Sequence, residues 1–298
     1  MRYEHILVGE DAGLAIVTMN RPERRNALSE AHMAELIRAF RTLGDRGEAR
    51  AIVLAAAGPV FSSGHDFADM VERDLDGMRR LLATCTELML TIQRVPQPVV
   101  AQVQGVATAA GCQLVASCDL AVAAEEATFA TPGGKGGWFC TTPMVAVARA
   151  VGRKRALEML LTGDAIDART ALGWGLVNRV VPRERLEEET RTLARAASRG
   201  STASKALGKR AFYETVALDV EAAYAHACEV MATSALTEDG REMMRAFLEK
   251  RPAVYPPRPF AHAADRRLLL HGIRAPRGVP DLRRRPRHPG RRLRQVGA

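Results

Sequence analysis

Two short loops of small residues mark where chemistry is predicted: FSSGHDF (61–67) and GVATAAGC (105–112). Small side chains let a second backbone or a ligand approach closely. The second loop runs into a segment that reads as a helix, and the first turn of a helix presents free N–H groups at its positive dipole end. One N–H from each loop, aimed at a single oxygen, would make an oxyanion hole, which stabilises negative charge developing on a carbonyl. Simple tight packing is the competing reading of the same composition. In GCQLVASCD (111–119) the amide of Gln113 is the odd residue. A core would place an apolar group there, and many enzymes a carboxylate.

Other chemistries lack their signatures. No GxGxxG follows a strand, and GxxxxGK[ST], GxSxG and HExxH do not occur. His5, His32 and His226 sit singly and read as packing or surface residues. Of five cysteines, none in CxxC spacing, four sit in apolar or small-residue surroundings, and reduced, buried thiols are the expected reading.

The elements that must hold the two loops follow from apolar patterning. Residues 3–9 and 14–19 read as a β-hairpin around EDAG. A helix is predicted from about Ser29, its cap, to Leu43, and another around 78–92. AIVLAAA (51–57), PQPVVAQVQG and DLAVAA read as strands, and GVATAAGCQLVASC as one helix. Helical segments are expected around 143–161, 167–173, 183–198, 201–235 and 237–250, with VNRVV (177–181) a strand between them. Strands alternating with helices indicate an α/β fold.

The net charge of +9 is local. Residues 258–298 hold 12 Arg, no Lys and 2 Asp, whereas residues 1–257 hold 31 basic and 32 acidic residues. The body is therefore almost neutral, which argues against nucleic acid as its partner. The Arg/Pro-rich tail has no lasting apolar period and reads as disordered, either a basic arm or a solvated extension. The opening MRYEHILVGEDAG shows neither a signal nor a transit pattern, and no run reaches membrane-spanning length, so a cytoplasmic protein is expected.

NRPERRNALS (20–29), FSSGHDF (61–67), QGVATAAGCQLVASCDLAVA (104–123), FATPG (129–133) and the stretch 148–182, taken in order, resemble the crotonase, or enoyl-CoA hydratase/isomerase, superfamily. The resemblance covers about residues 3–257. It implies a spiral of repeated ββα units (1–200), a C-terminal helical trimerisation region (201–257) forming trimers or pairs of trimers, and the tail (258–298) outside the match. It implies an acyl-CoA thioester ligand, with CoA part of the substrate and no separate cofactor or metal. The oxyanion-hole amides would be the backbone N–H groups of His65 and Ala110. CoA would meet Arg24, Arg25, Asn26, Ala27 and Leu28, with backbone contacts near Ser63 and Asp66, and Trp138 would wall the acyl pocket.

Family members that hydrate enoyl thioesters use two glutamates. Their places here fall on Gln113 and Gly133. An amide neither gives nor takes a proton usefully near neutrality, and a lost acid or base commonly costs about 10²–10⁴-fold in rate. Efficient hydration is therefore not expected, while a hole of backbone amides can persist. Two functions stay open: enolate chemistry on the CoA ester (isomerisation, slow hydration, decarboxylation or hydrolysis), or a pseudoenzyme that binds acyl-CoA or serves as a scaffold. For His65 the choice is between a catalytic and a structural side chain, with Asp69 placed either to orient it or to sit in solvent.

Overall fold

The computed structural model describes residues 2–255; the Arg/Pro-rich tail lies outside them. β1 (Ile6–Asp11) and β2 (Leu14–Met19) form the expected hairpin, joined by Ala12 and Gly13. Both turn residues have positive φ, the twist that two-residue hairpins favour. α1 (Glu30–Arg46) begins at Ser29, whose hydroxyl accepts the His32 N–H, and stops at Gly47 in the left-handed conformation. β3 (Ala51–Ala56), α2 (Leu75–Arg94) and β4 (Val99–Val103) follow as the pattern predicts.

The single helix expected over 105–118 is instead a two-residue strand, β5 (Ala107–Thr108), and a shorter helix, α3 (Ala110–Ser117). Periodicity could not show this break. It is made by pairing across the chain: Thr108 N–H donates to the Ser62 carbonyl, and Ala109 N–H to the Ala130 carbonyl. β6 (Leu120–Ala124) and β7 (Thr128–Ala130) come next. The helix expected over 143–161 breaks at Gly152, φ 82°, into α4 (Pro143–Val151) and α5 (Arg153–Thr162). β8 (Ile166–Asp167), α6 (Ala168–Trp174), β9 (Arg179–Val181) and α7 (Leu186–Ala197) complete the core. α8 (Thr202–Thr215), α9 (Val220–Ala235) and α10 (Glu238–Leu248) form the C-terminal helices, with the predicted 201–235 helix split at a turn near Leu218.

The larger sheet runs β1-β2-β3-β4-β6-β9, parallel except for the hairpin; the smaller runs β5-β7-β8. Single bridges Ser62–Ala107 and Leu28–His65 extend the smaller sheet toward the loops. One unit thus recurs: a strand in the larger sheet, a pairing in the smaller, then a helix. β2, Leu28 and α1 make the first; β3, Ser62 to His65 and α2 the second; β4, β5 and α3 the third; β6, β7 and α4 the fourth. The repeat is what places residues 26–28, 62–65 and 107–110 side by side.

Alternation along β3 sends Ile52 and Leu54 into the main core and Ala51, Val53 and Ala55 to the other face, under α7 residues Leu186 and Ala194. Both faces are covered, as a parallel sheet requires. The C-terminal helices differ: neither α8 nor α9 contains a buried residue.

Candidate active site

The loop at 61–65 and the entry to α3 meet through glycine. Gly64 has φ 90°, and a Cβ there would fall 2.9 Å from the Ala109 Cβ and 3.3 Å from the Ala110 nitrogen. A Cβ on Gly111 would collide with the Ser62 carbonyl and lie 2.8 Å from the Ser62 Cβ. Only glycines permit so close an approach. Ala109, just before α3, has φ 51° and ψ −117°, a sparsely populated conformation for a residue with a side chain. It is held by its N–H to the Ala130 carbonyl and by its carbonyl, which accepts the Gln113 N–H.

Ala110 is the first residue of α3, so its N–H has no acceptor within the helix. His65 sits between Leu28 N–H→Gly64 carbonyl (2.8 Å) and Asp66 N–H→Leu28 carbonyl (3.3 Å), so its own N–H points away from that pairing. Among the described residues neither N–H donates within the chain. Two unspent donors, one in the 61–67 loop and one opening α3, are the kind of groups an oxyanion hole uses.

The His65 side chain is 9% exposed, and neither ring nitrogen has a hydrogen-bond partner among the described residues. Burial holds the imidazole below its usual pKa, against weaker opposing pulls from the Leu28 carbonyl and the Asp69 carboxylate. Its ring lies 6.4 Å from that of Trp138, centre to centre. Asp69 does not orient it. The Asp69 carboxylate accepts the Glu30 N–H (2.8 Å) at the start of α1 and pairs with Arg73 (2.9 Å). Partial burial pushes that carboxyl up, but the Glu30 N–H and Arg73 together pull it below the usual range.

Gln113 is three residues beyond Ala110, on the same face of α3, and is 5% exposed. Its Oε1 accepts the Cys85 thiol at 3.8 Å. Gly133 occupies a different setting. Its carbonyl accepts the Gly136 and Trp138 N–H groups, curling residues 133–138 into a turn. A Cβ on Gly133 would lie 2.8 Å from Cys140 Sγ, 3.0 Å from its nitrogen, and closer still to the Trp138 carbonyl oxygen. The backbone itself fills the space where a side chain would go. Burial pushes the Cys85 and Cys112 thiols up to about 12, and raises Cys140 despite the nearby Gly133 N–H. All three stay neutral near pH 7.

The 24–28 segment divides in two. Arg24 and Arg25 are exposed, with no side-chain partner among the described residues. Asn26 is fully buried with φ 50°; its amide donates to the Ala57 and Val60 carbonyls, and its Oδ1 accepts the Arg21 N–H. Ala27 and Leu28 are buried too, so any ligand contact there uses backbone. Ser63 N–H is spent on the Arg25 carbonyl, and Asp66 pairs with Arg21 at 3.3 Å and caps Ala68. Trp138 is 45% exposed.

A cavity of about 540 Å³ opens between α2, α3, α4 and α8. Of the residues singled out from sequence only Gln113 lines it; His65, Ala110, Gly133 and Trp138 do not. At its edge is a cluster that sequence reading missed. Lys209 on α8 pairs with Asp119 (2.6 Å) and donates to the Ile92 and Gln97 carbonyls, Tyr213 donates to the other Asp119 oxygen, and Val99 N–H is capped by Asp119 as well. A lysine among helical neighbours gives no one-dimensional sign that its side chain is enclosed by Asp119 and two carbonyls. Among the described residues no three His, Cys, Asp or Glu side chains cluster to hold a metal.

The enoyl-CoA hydratase/isomerase family profile matches residues 9–258. The chain belongs to that family. Zebrafish enoyl-CoA hydratase domain-containing protein 3, mitochondrial, is 46% identical over 250 residues, covering 84% of this chain and 86% of that one. The human protein of the same name is 44% identical over 244 residues, covering 82% and 80%. The crystal structure of an enoyl-CoA hydratase from Mycobacterium smegmatis superposes with a TM-score of 0.82 at 46% identity, covering 85% of this chain and 99% of that one. That of the human domain-containing protein 3 gives 0.81 at 42%, covering 85% and 100%. The α/β fold with two mixed sheets and C-terminal helices is thus the crotonase fold. The vertebrate relatives are named as mitochondrial, which departs from the cytoplasmic expectation. No helix of this family member, among the described residues, is long and apolar enough to cross a membrane.

Proposed function

We propose that this family member binds an acyl-CoA thioester and polarises its carbonyl between the backbone N–H groups of His65 and Ala110. The observation that carries the reading is the Gly64–Ala109–Ala110 approach, which brings the loop of one unspent amide against the helix start that holds the other. Arg24 and Arg25 supply unpaired guanidinium groups suited to a CoA phosphate. The Asn26–Leu28 backbone would meet the rest of the nucleotide, together with carbonyls near Ser63 and Asp66. Trp138 would cover the acyl side. Gln113 and Gly133 stand where hydratases carry glutamates, so efficient hydration is not expected. Residues 1–200 carry the site. Residues 201–257 carry exposed Phe212, Tyr224, Met231, Phe247 and Leu248, an apolar surface that supports assembly as a trimer or pair of trimers. Five free cysteines favour a reducing compartment, the cytoplasm or the mitochondrion of the vertebrate relatives.

A second reading is an acyl-CoA-binding pseudoenzyme, favoured by the filled space at Gly133. Titrating the full-length protein with acetoacetyl-CoA and recording the difference spectrum separates them. A saturating enolate band means a working hole. Saturable binding without that band means a CoA-binding pseudoenzyme, and no binding removes the CoA reading.

A further inference from the structure

The cavity of about 540 Å³ between α2, α3, α4 and α8 stands apart from the thioester site: none of His65, Ala110, Gly133 and Trp138 lines it. Its volume lies in the range of about 300–1,000 Å³ usual for small-molecule sites. Met89, Val115 and Leu176, each 5% exposed or less, give it apolar walls. Its open polar groups are all of one kind. Gln113, 5% exposed, spends its Oε1 on the Cys85 thiol at 3.8 Å, and its NH₂ has no partner among the described residues. Asn178 spends its Oδ1 on the Ala121 N–H at 2.8 Å, which leaves its NH₂. In both amides the spent oxygen makes the donor the open end. A buried donor without a partner carries the cost of its lost water, so a ligand that brings an acceptor is favoured there.

The charges agree with the donors. Among the described residues, the charged side chains lining the cavity are Asp119 and Arg149. The Asp119 carboxylate is already satisfied by Lys209 at 2.6 Å, the Tyr213 hydroxyl at 2.8 Å and the Val99 N–H at 2.7 Å. Arg149 donates to the Val145 carbonyl of its own helix at 2.8 Å, and no carboxylate among the described residues pairs with it. The cavity thus presents one uncompensated positive charge, two open amide donors and no free anion. A guanidinium meets a carboxylate by two parallel N–H bonds, and a single carboxylate balances it one to one, where a phosphate dianion would bring excess charge. Apolar walls select the rest of the molecule. We propose that this cavity binds an amphipathic monocarboxylic acid, its carboxylate on Arg149 and its chain against Met89, Val115 and Leu176.

Calorimetric titration of the full-length protein with sodium octanoate and with octanol tests this, since the two share a chain and differ in the charge of the head. Expected is saturable binding of one octanoate per chain, about tenfold tighter than octanol, because hydrogen bonds to charged groups are the stronger kind. Arg149→Met should bring octanoate down to the level of octanol and leave octanol unchanged; Arg149 is exposed on α4, so the fold does not depend on it. Ala146→Phe sets a ring into the cavity and should abolish both. Octanoyl-CoA should bind without displacing octanoate, whatever the outcome of the acetoacetyl-CoA titration. Equal affinity for the two probes, or a preference that survives Arg149→Met, overturns the proposal, as does the absence of octanoate binding. Displacement of octanoate by octanoyl-CoA makes the cavity the far end of the thioester pocket and overturns a separate site. Octanoate that splits assembled protein on size-exclusion chromatography makes the cavity a contact between copies of the chain, which also overturns it.

Discussion

Residues 113 and 133, the two positions that the resemblance sets against the glutamates of hydratases, stand in different surroundings. At Gln113 the first turn of α3 is intact, and an amide sits in a side-chain space of glutamate size. At Gly133 the side-chain space is gone, because the turn from 133 to 138 has folded into it. One position has room for a polar side chain on a helix. The other has none, because the backbone of residues 133–140 occupies it.

The largest expected effect tests how firmly α3 is held. Its far end is tied through Asp119 to Lys209. Lys209→Met strands that carboxylate in a mostly buried setting and should cost about 3–5 kcal/mol in urea unfolding. The next tests the near end. Gly64→Ala forces a Cβ against Ala109 and the Ala110 nitrogen. Loss of one hole donor should weaken enolate stabilisation by about 10²–10³-fold, read from the acetoacetyl-CoA spectrum.

The comparison itself is sharpened by paired variants. Gly133→Ala overpacks the turn and should lose about 1–3 kcal/mol at any pH. Gln113→Glu fits the space, and burial raises its carboxyl pKa, so the variant should match the parent near pH 4 and lose stability as pH rises. If Gly133→Ala is the milder change at every pH, the two positions do not differ as described.

The smallest effect concerns the buried imidazoles. His65 packs near Trp138 of the 133–138 turn, and His32 is fully buried with its pKa lowered to about 4, by burial first. A base whose folded pKa is depressed leaves stability intact above the unfolded value near 6.5 and removes it as pH falls. His32 should cost roughly 2 kcal/mol between pH 8 and pH 5. His65 adds a loss of the same sign, which His65→Asn should remove; denaturation curves at several pH values read both.

Much of this was legible in one dimension. β2 matched its apolar run and α1 its Ser29 cap, and the two small-residue loops do meet. The long helix expected from Gly105 was not, because apolar periodicity carries no record that Ser62 would pair with Ala107. The turn at 133–138 was visible as glycines, yet its filling of the space beside Gly133 was not, since that depends on where the Trp138 carbonyl lands. Asn26 was placed among ligand contacts by resemblance, and its side chain proves to be bound up in the loop itself.

Sequence by itself determined the α/β alternation, the family, the identity of the residues at 113 and 133, and the near-neutral body, because these follow from local pattern and residue chemistry. Tertiary structure decided which donors remain unspent, that the Gly133 space is closed and that the Lys209 side chain is tied to Asp119. Those are properties of distance and exclusion between segments far apart in the chain, and no local pattern encodes them.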